Sequence, residues 1–156
     1  MKELNITTKI AVYSYNELSE EHKILAEKAR EATSRSYSPY SHFQVGAALQ
    51  LENGEILTGA NQENAAFTAG TCAERSVLFY AGANYPGVAI KRLAIAAFTN
   101  GDFVSTPVSP CGHCRQAILE YETISHQPIE IILCGREEVY VLKSIKDLMP
   151  LSFVEF

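Results

Sequence analysis

The chain has 156 residues, 47% of them hydrophobic and 20% charged, with a formal net charge of -5. This length suits one domain, and the composition is that of a folded protein, not a disordered one. Lysines and arginines are scattered, with only Lys91 and Arg92 adjacent, so a phosphate backbone is a poor partner and nucleic acid is disfavoured as substrate.

No apolar run approaches the ~20 residues that cross a bilayer, and residues 1–10 contain no signal-peptide core. The expected compartment is therefore cytoplasmic, with no membrane partner. Four cysteines are present: Cys72, Cys111, Cys114 and Cys134. In a reducing compartment a Cys-x-x-Cys is metal-binding or redox-active more often than part of a disulfide framework.

Residues 1–17 read as a leader with some alternation (Ile6, Ile10, Val12), either an extra strand or a segment lying on the surface. Ser19 is a good helix N-cap, with Glu20 and Glu21 in the first turn. Leu18, Ile24, Leu25 and Ala29 set a helical apolar stripe to about Ala32. A polar turn with Pro39 precedes a strand over residues 43–51. Asn53-Gly54 signals a two-residue hairpin turn, and the return strand covers 56–60. A loop of small residues leads to a helix from Glu74 to about Ala81, ended by Gly82.

Residues 92–99 form a continuous apolar run, the mark of a buried strand. A loop, a helix over 111–122, and strands over 129–134 and 139–142 follow, and Ser144 caps a last short helix stopped by Pro150. A hairpin followed by alternating helix and strand implies an α/β fold, a three-layer α/β/α sandwich. Its mixed sheet is expected to have five strands, with helices on both faces.

Two stretches carry the chemistry: Cys72-Ala73-Glu74-Arg75 and Pro110-Cys111-Gly112-His113-Cys114. Pro110 suits a helix start, and Cys111 and Cys114 then share a face in the first turn, where N–H groups and the helix dipole favour thiolates. Cys72 also sits at a helix start. Three thiolate ligands leave a tetrahedral zinc ion one open position, as catalysis requires. Arg75 and Arg115 stand close enough to offset the remaining negative charge.

The pattern Cys-x-Glu…Pro-Cys-x-x-Cys resembles the zinc-deaminase signature, with Cys in place of the first His. In that chemistry the glutamate, here Glu74, is not a ligand but moves protons. The competing readings are a redox pair, or a closed four-cysteine site with Cys134 as fourth ligand. Cys134 follows Ile131, Ile132 and Leu133 on a strand, where a buried free cysteine is ordinary, and a closed site leaves Glu74 without a role. His113 reads as a spacer.

Further blocks widen the likeness: Tyr37-Ser38-Pro39-Tyr40-Ser41, Phe43-Gln44-Val45-Gly46-Ala47-Ala48, Asn61-Gln62-Glu63-Asn64-Ala65-Ala66 and Ser109 to Gln116. With the cysteine motifs, these resemble the small homotetrameric zinc-dependent cytidine deaminases, in the family's order, over residues 26–153. The resemblance implies one Zn2+ per chain on Cys72, Cys111 and Cys114, with Glu74 catalytic. It implies hydrolysis of cytidine and 2′-deoxycytidine to uridine and deoxyuridine with loss of ammonia, for pyrimidine salvage.

The resemblance also assigns contacts. Asn61 and Glu63 hold the ribose, Phe43 packs on the pyrimidine, the backbone near Ala73 and Ser109 reads the base edge, and Arg75 hydrogen-bonds the thiolates. Phe153, in the segment Leu148-Met149-Pro150-Leu151-Ser152-Phe153, is the candidate for a residue that closes a neighbouring subunit's pocket in a homotetramer. By composition alone Asn61 and Glu63 shape a turn, Phe43 is a core residue and Arg75 a solvated charge. Residues 18–156 are then one deaminase-like catalytic domain. Phe67 stands where many relatives carry Tyr, Gln62 replaces a commonly aliphatic residue, and the leader is longer than in many short members. Alternative functions are deamination of a modified cytosine nucleoside such as a blasticidin-type antibiotic, a non-catalytic zinc-stabilised module and, less well supported, nucleic-acid editing.

Overall fold

The computed structural model describes residues 1–154. The last two residues of the expected 18–156 domain lie outside the described residues. Strand β1 (Ala11–Ser14) leads into helix α1 (Glu20–Thr33). Ser19 caps α1 as its sequence predicts, its hydroxyl oxygen accepting from the His22 N–H at 3.3 Å. The buried stripe of α1 is Leu25, Ala26, Ala29 and Ala32. Ile24, expected in the stripe, is turned to solvent, one position off the face that meets the sheet.

Strands β2 (Gln44–Leu51) and β3 (Ile56–Ala60) form the expected hairpin. Its turn has three residues, not two: the Leu51 N–H donates to Glu55 O at 2.9 Å, leaving Glu52, Asn53 and Gly54 as the loop. Gly54 closes it at φ 91°, a conformation that glycine adopts without a Cβ clash.

Helix α2 (Ala73–Asn84) runs past Gly82 instead of stopping there. A Cβ at Gly82 would lie 2.4 Å from the Tyr121 hydroxyl, so the glycine serves close helix packing and is not a stop signal. Strand β4 (Ile90–Thr99) is followed by the two-residue β5 (Asp102–Phe103). Helix α3 (Gly112–Ser125) begins with Cys111 as N-cap, so Pro110 precedes the helix instead of opening it. Strands β6 (Glu130–Cys134) and β7 (Glu138–Leu142) and a 3₁₀ turn capped by Ser144 complete the chain.

The sheet has seven strands in the order β1-β7-β6-β4-β2-β3, with β5 pairing β4. It is mixed, as expected: β4 and β6 are parallel and the other pairs antiparallel. The expected five strands are all present. The two extra ones are the leader, paired to β7, and Asp102–Phe103, a strand too short to show a periodicity.

Alternation along the strands separates two cores. Ala47, Leu49, Leu93, Ile95, Ile131 and Leu133 face α2 and α3. Ala48, Ala94, Ala96, Ile132 and Cys134 face α1. The small side chains on the α1 side let that helix approach closely, and a Cβ on Gly46 would lie 2.1 Å from Ala29 O. The crossover between the parallel strands β4 and β6 runs through α3, and the starts of α2 and α3 bring Cys72, Cys111 and Cys114 within 4.8 Å of one another at their sulfurs.

Candidate active site

Cys72 and Cys111 are the N-caps of α2 and α3, and neither side chain is used in capping. Cys114 lies one turn into α3 and is fully buried. The three sulfurs all lie within 4.8 Å of one another, with Cys72 and Cys111 3.8 Å apart. Thiolates about 2.3 Å from a tetrahedral zinc stand about 3.8 Å from each other. The set therefore fits one zinc ion, and all three thiols are free of disulfides.

Electrostatics favour thiolate here. Cys72 is held down to about 5, first because the Cys114 thiol donates to it, with Arg75 and Cys111 adding, while burial opposes. Cys114, as that donor, is pushed upward and keeps the proton the pair shares. Binding a metal would release it. The Arg75 guanidinium reaches Cys72 Sγ at 3.9 Å through Nη2, and its buried Nε has no hydrogen-bond partner among the described residues.

Glu74 sits in the first turn of α2 and is only 4% exposed. Burial raises its pKa, with the Cys72 thiolate adding and its own backbone N–H opposing. A buried carboxyl beside a metal-ligand set, at the wall of a cleft, has the properties of a proton carrier.

That cleft, about 980 Å³, is lined by Phe43, Asn61, Glu63, Ser109 and Phe67 as well as Cys72, Cys111 and Glu74. Asn61 is more heavily engaged than sequence reasoning assumed. Its Oδ1 accepts from Ser36 Oγ at 2.6 Å and Val45 N at 2.8 Å, and its Nδ2 donates to Phe43 O at 3.0 Å. It thus fastens the 36–45 loop while keeping one amide hydrogen for another acceptor. Glu63 Oε2 accepts from the N–H groups of Tyr40 and Ser41 at 2.9 and 3.2 Å. The Ser41 hydroxyl, first, and these N–H groups hold its carboxylate below the usual range, so it stays charged.

Tyr40 and Ser41 were legible only as part of a block, and their service to Glu63 depends on backbone N–H directions that no residue type announces. Ala73 is buried outside the cleft lining, but its N–H belongs to the first turn of α2, where N–H groups lack an acceptor within the helix. Phe67 is 93% exposed at the cleft rim. Phe153 is 65% exposed and does not line the cleft of its own chain, and its carbonyl accepts from Gln116 Nε2 at 3.1 Å.

One expectation changes and one holds. Arg115 does not face the sulfurs: it donates to Pro110 O, Ser109 Oγ and Leu148 O. Cys134 lies in the α1-facing core, on the opposite face of the sheet from α2 and α3, so it is out of reach of the thiol cluster. Burial pushes its thiol up to about 12, which keeps it a neutral core residue. Among the described residues, no helix is long and apolar enough to cross a membrane.

Across residues 19–127 the chain matches the family described as the cytidine and deoxycytidylate deaminase zinc-binding region. It is 47% identical over 100 residues to a cytidine deaminase of Sporosarcina psychrophila, spanning 64% of this chain and 68% of that protein. A cytidine deaminase of Halalkalibacterium halodurans is 43% identical over 100 residues, spanning 63% and 70%. The crystal structure of cytidine deaminase from Burkholderia pseudomallei superposes with a TM-score of 0.71 at 37% identity, covering 87% of this chain and all of that one (100%).

Proposed function

This chain belongs to the cytidine and deoxycytidylate deaminase zinc-binding family, and we propose that it hydrolyses cytidine and 2′-deoxycytidine to uridine and deoxyuridine, releasing ammonia for pyrimidine salvage. The observation that carries this reading is Glu74, buried beside three thiols whose sulfurs lie within 4.8 Å of one another at the wall of an open cleft. Cys72, Cys111 and Cys114 would hold the zinc ion, which would make hydroxide available from bound water near neutral pH.

Glu74 takes one proton of the water as its oxygen adds to the amine-bearing carbon and delivers it to the adjacent ring nitrogen; it then takes the water's second proton from the hydroxyl now on that carbon and gives it to the amine, which leaves as ammonia while the carbonyl of the uracil ring forms. Its raised pKa suits both tasks, because each requires the carboxyl to gain and lose a proton near working pH. Arg75 steadies the Cys72 thiolate. Glu63, held charged, accepts from ribose hydroxyls, and the spare amide hydrogen of Asn61 donates to one. Phe43 packs on the pyrimidine, while the backbone at Ala73 and Ser109 reads its polar edge.

In this reading the active form is a homotetramer in the cytoplasm. Phe153, exposed and outside the cleft of its own chain, reaches the cleft of a neighbour. Residues 1–17 precede a single catalytic domain and lend its sheet the edge strand Ala11–Ser14.

The experiment is ammonia release from cytidine, deoxycytidine, cytosine, dCMP and adenosine by zinc-loaded protein. The two nucleosides of cytosine should turn over, with the free base, the nucleotide and the purine far behind. Zinc-replete protein inert toward both nucleosides would refute the assignment.

A further inference from the structure

Arg115 follows the buried ligand Cys114 on α3, yet its guanidinium turns away from the sulfurs. Nε donates to Pro110 O at 2.8 Å, Nη2 to Ser109 Oγ at 2.9 Å and Nη1 to Leu148 O at 2.8 Å. The planar fork of an arginine fixes the relative directions of these acceptors, and charged donors make the stronger hydrogen bonds. Ser109 lines the cleft, and Pro110 leads directly into the ligand Cys111.

The same helix holds the end of the chain elsewhere too. Gln116 Nε2 donates to Phe153 O at 3.1 Å. Glu122, buried at 5% exposure, accepts from Ile145 N at 2.9 Å and Ser144 Oγ at 2.8 Å. Of these residues only Arg115 touches both the carboxy-terminal segment and the wall of the cleft.

We propose that Arg115 is a positioning residue that fastens the carboxy-terminal segment, at Leu148, to Ser109 and Pro110 at the wall of the cleft, so that the seating of this segment sets the position of Ser109. Loosening this clamp leaves Glu74, the thiolates and Arg75 in place. It blurs one wall against which substrate rests, so it weakens substrate binding more than it slows turnover. A charge role toward the thiolates would instead alter turnover and its pH profile.

The test uses full-length, zinc-loaded protein and the variants Arg115→Gln, Arg115→Lys and Gln116→Ala. Removal of carboxy-terminal residues by a carboxypeptidase reads tail seating, and cytidine kinetics read the wall. Losing charged hydrogen bonds in Arg115→Gln should speed tail removal about tenfold and raise KM about tenfold, with kcat within about threefold of wild type. Its zinc content and pH profile should match wild type. Arg115→Lys, which keeps the charge but reaches fewer acceptors, should fall between the two and decides the matter if the glutamine variant does not fold. Gln116→Ala, which releases Phe153 O while the Arg115 bonds remain, should speed tail removal with zinc content and pH profile as in wild type.

Wild-type KM or wild-type tail removal in both Arg115 variants would overturn the proposal. So would a lower kcat with a displaced pH profile. The kinetic arm rests on the deaminase reading. The protease arm does not, so an inactive wild type with a clamped tail would sink only the proposed function.

Discussion

At the scale of single residues, the site is governed by what surrounds each titratable group. Glu74 and Glu63 are both glutamates near one cleft, yet burial raises one and a set of hydrogen-bond donors lowers the other. That contrast separates a proton carrier from a fixed charge. Replacing Glu74 with Gln keeps the shape and removes the transferable proton. Glu74→Gln should retain one zinc per chain by metal analysis while turnover falls on the order of 10²–10⁴-fold or more. Wild-type turnover in that variant would exclude Glu74 as the proton carrier. The candidate ligands Cys72, Cys111 and Cys114 were legible in the sequence because thiol spacing and helix position are local properties. The clamp made by Arg115 was not, because its acceptors at Leu148 and Pro110 meet it only in the folded chain.

Among elements, α1 and β2 approach each other closely at Gly46. Gly46 belongs to one of the blocks read from the sequence, and the packing explains its size: a Cβ there would lie 2.1 Å from Ala29 O and 2.6 Å from Thr33 N. Both are backbone atoms of α1, which can yield only if the helix moves. Gly46→Ala should therefore cost about 3 kcal/mol, seen as a fall of roughly 10 °C in Tm. An unchanged melting curve would mean that α1 packs less closely than described. Helices and strands were readable wherever a full period of burial recurred, as in α1 and β4. Gly82 was misread as a stop because the ring packed on it, Tyr121, comes from another helix. The hairpin gained a residue because pairing of Leu51 with Glu55 sets its register, and an Asn-Gly pair suits both turn lengths.

For the whole molecule, the leader divides: Ala11–Ser14 joins the sheet as β1, while the residues before it lie on the surface. Residues 1–10 are exposed throughout, and the family match begins at residue 19. Within that stretch the side chain of Thr8 donates to Asp147 O at 2.8 Å. Deleting residues 2–9 should cost less than about 1 kcal/mol in denaturant unfolding and leave cytidine turnover near wild type. A large loss of stability would instead give the leader a structural duty. The three-layer plan, the three cysteines that could hold a metal and the candidate proton carrier Glu74 followed from the sequence by itself, because hydrophobic period, helix caps and thiol spacing act over a few residues. Only the tertiary structure decided that β1 and β5 join the sheet, that Cys134 lies behind it, and that Asn61 and Arg115 serve as fasteners. Those outcomes depend on pairings between residues far apart in the chain, and no local pattern of residues encodes the direction of a distant hydrogen bond.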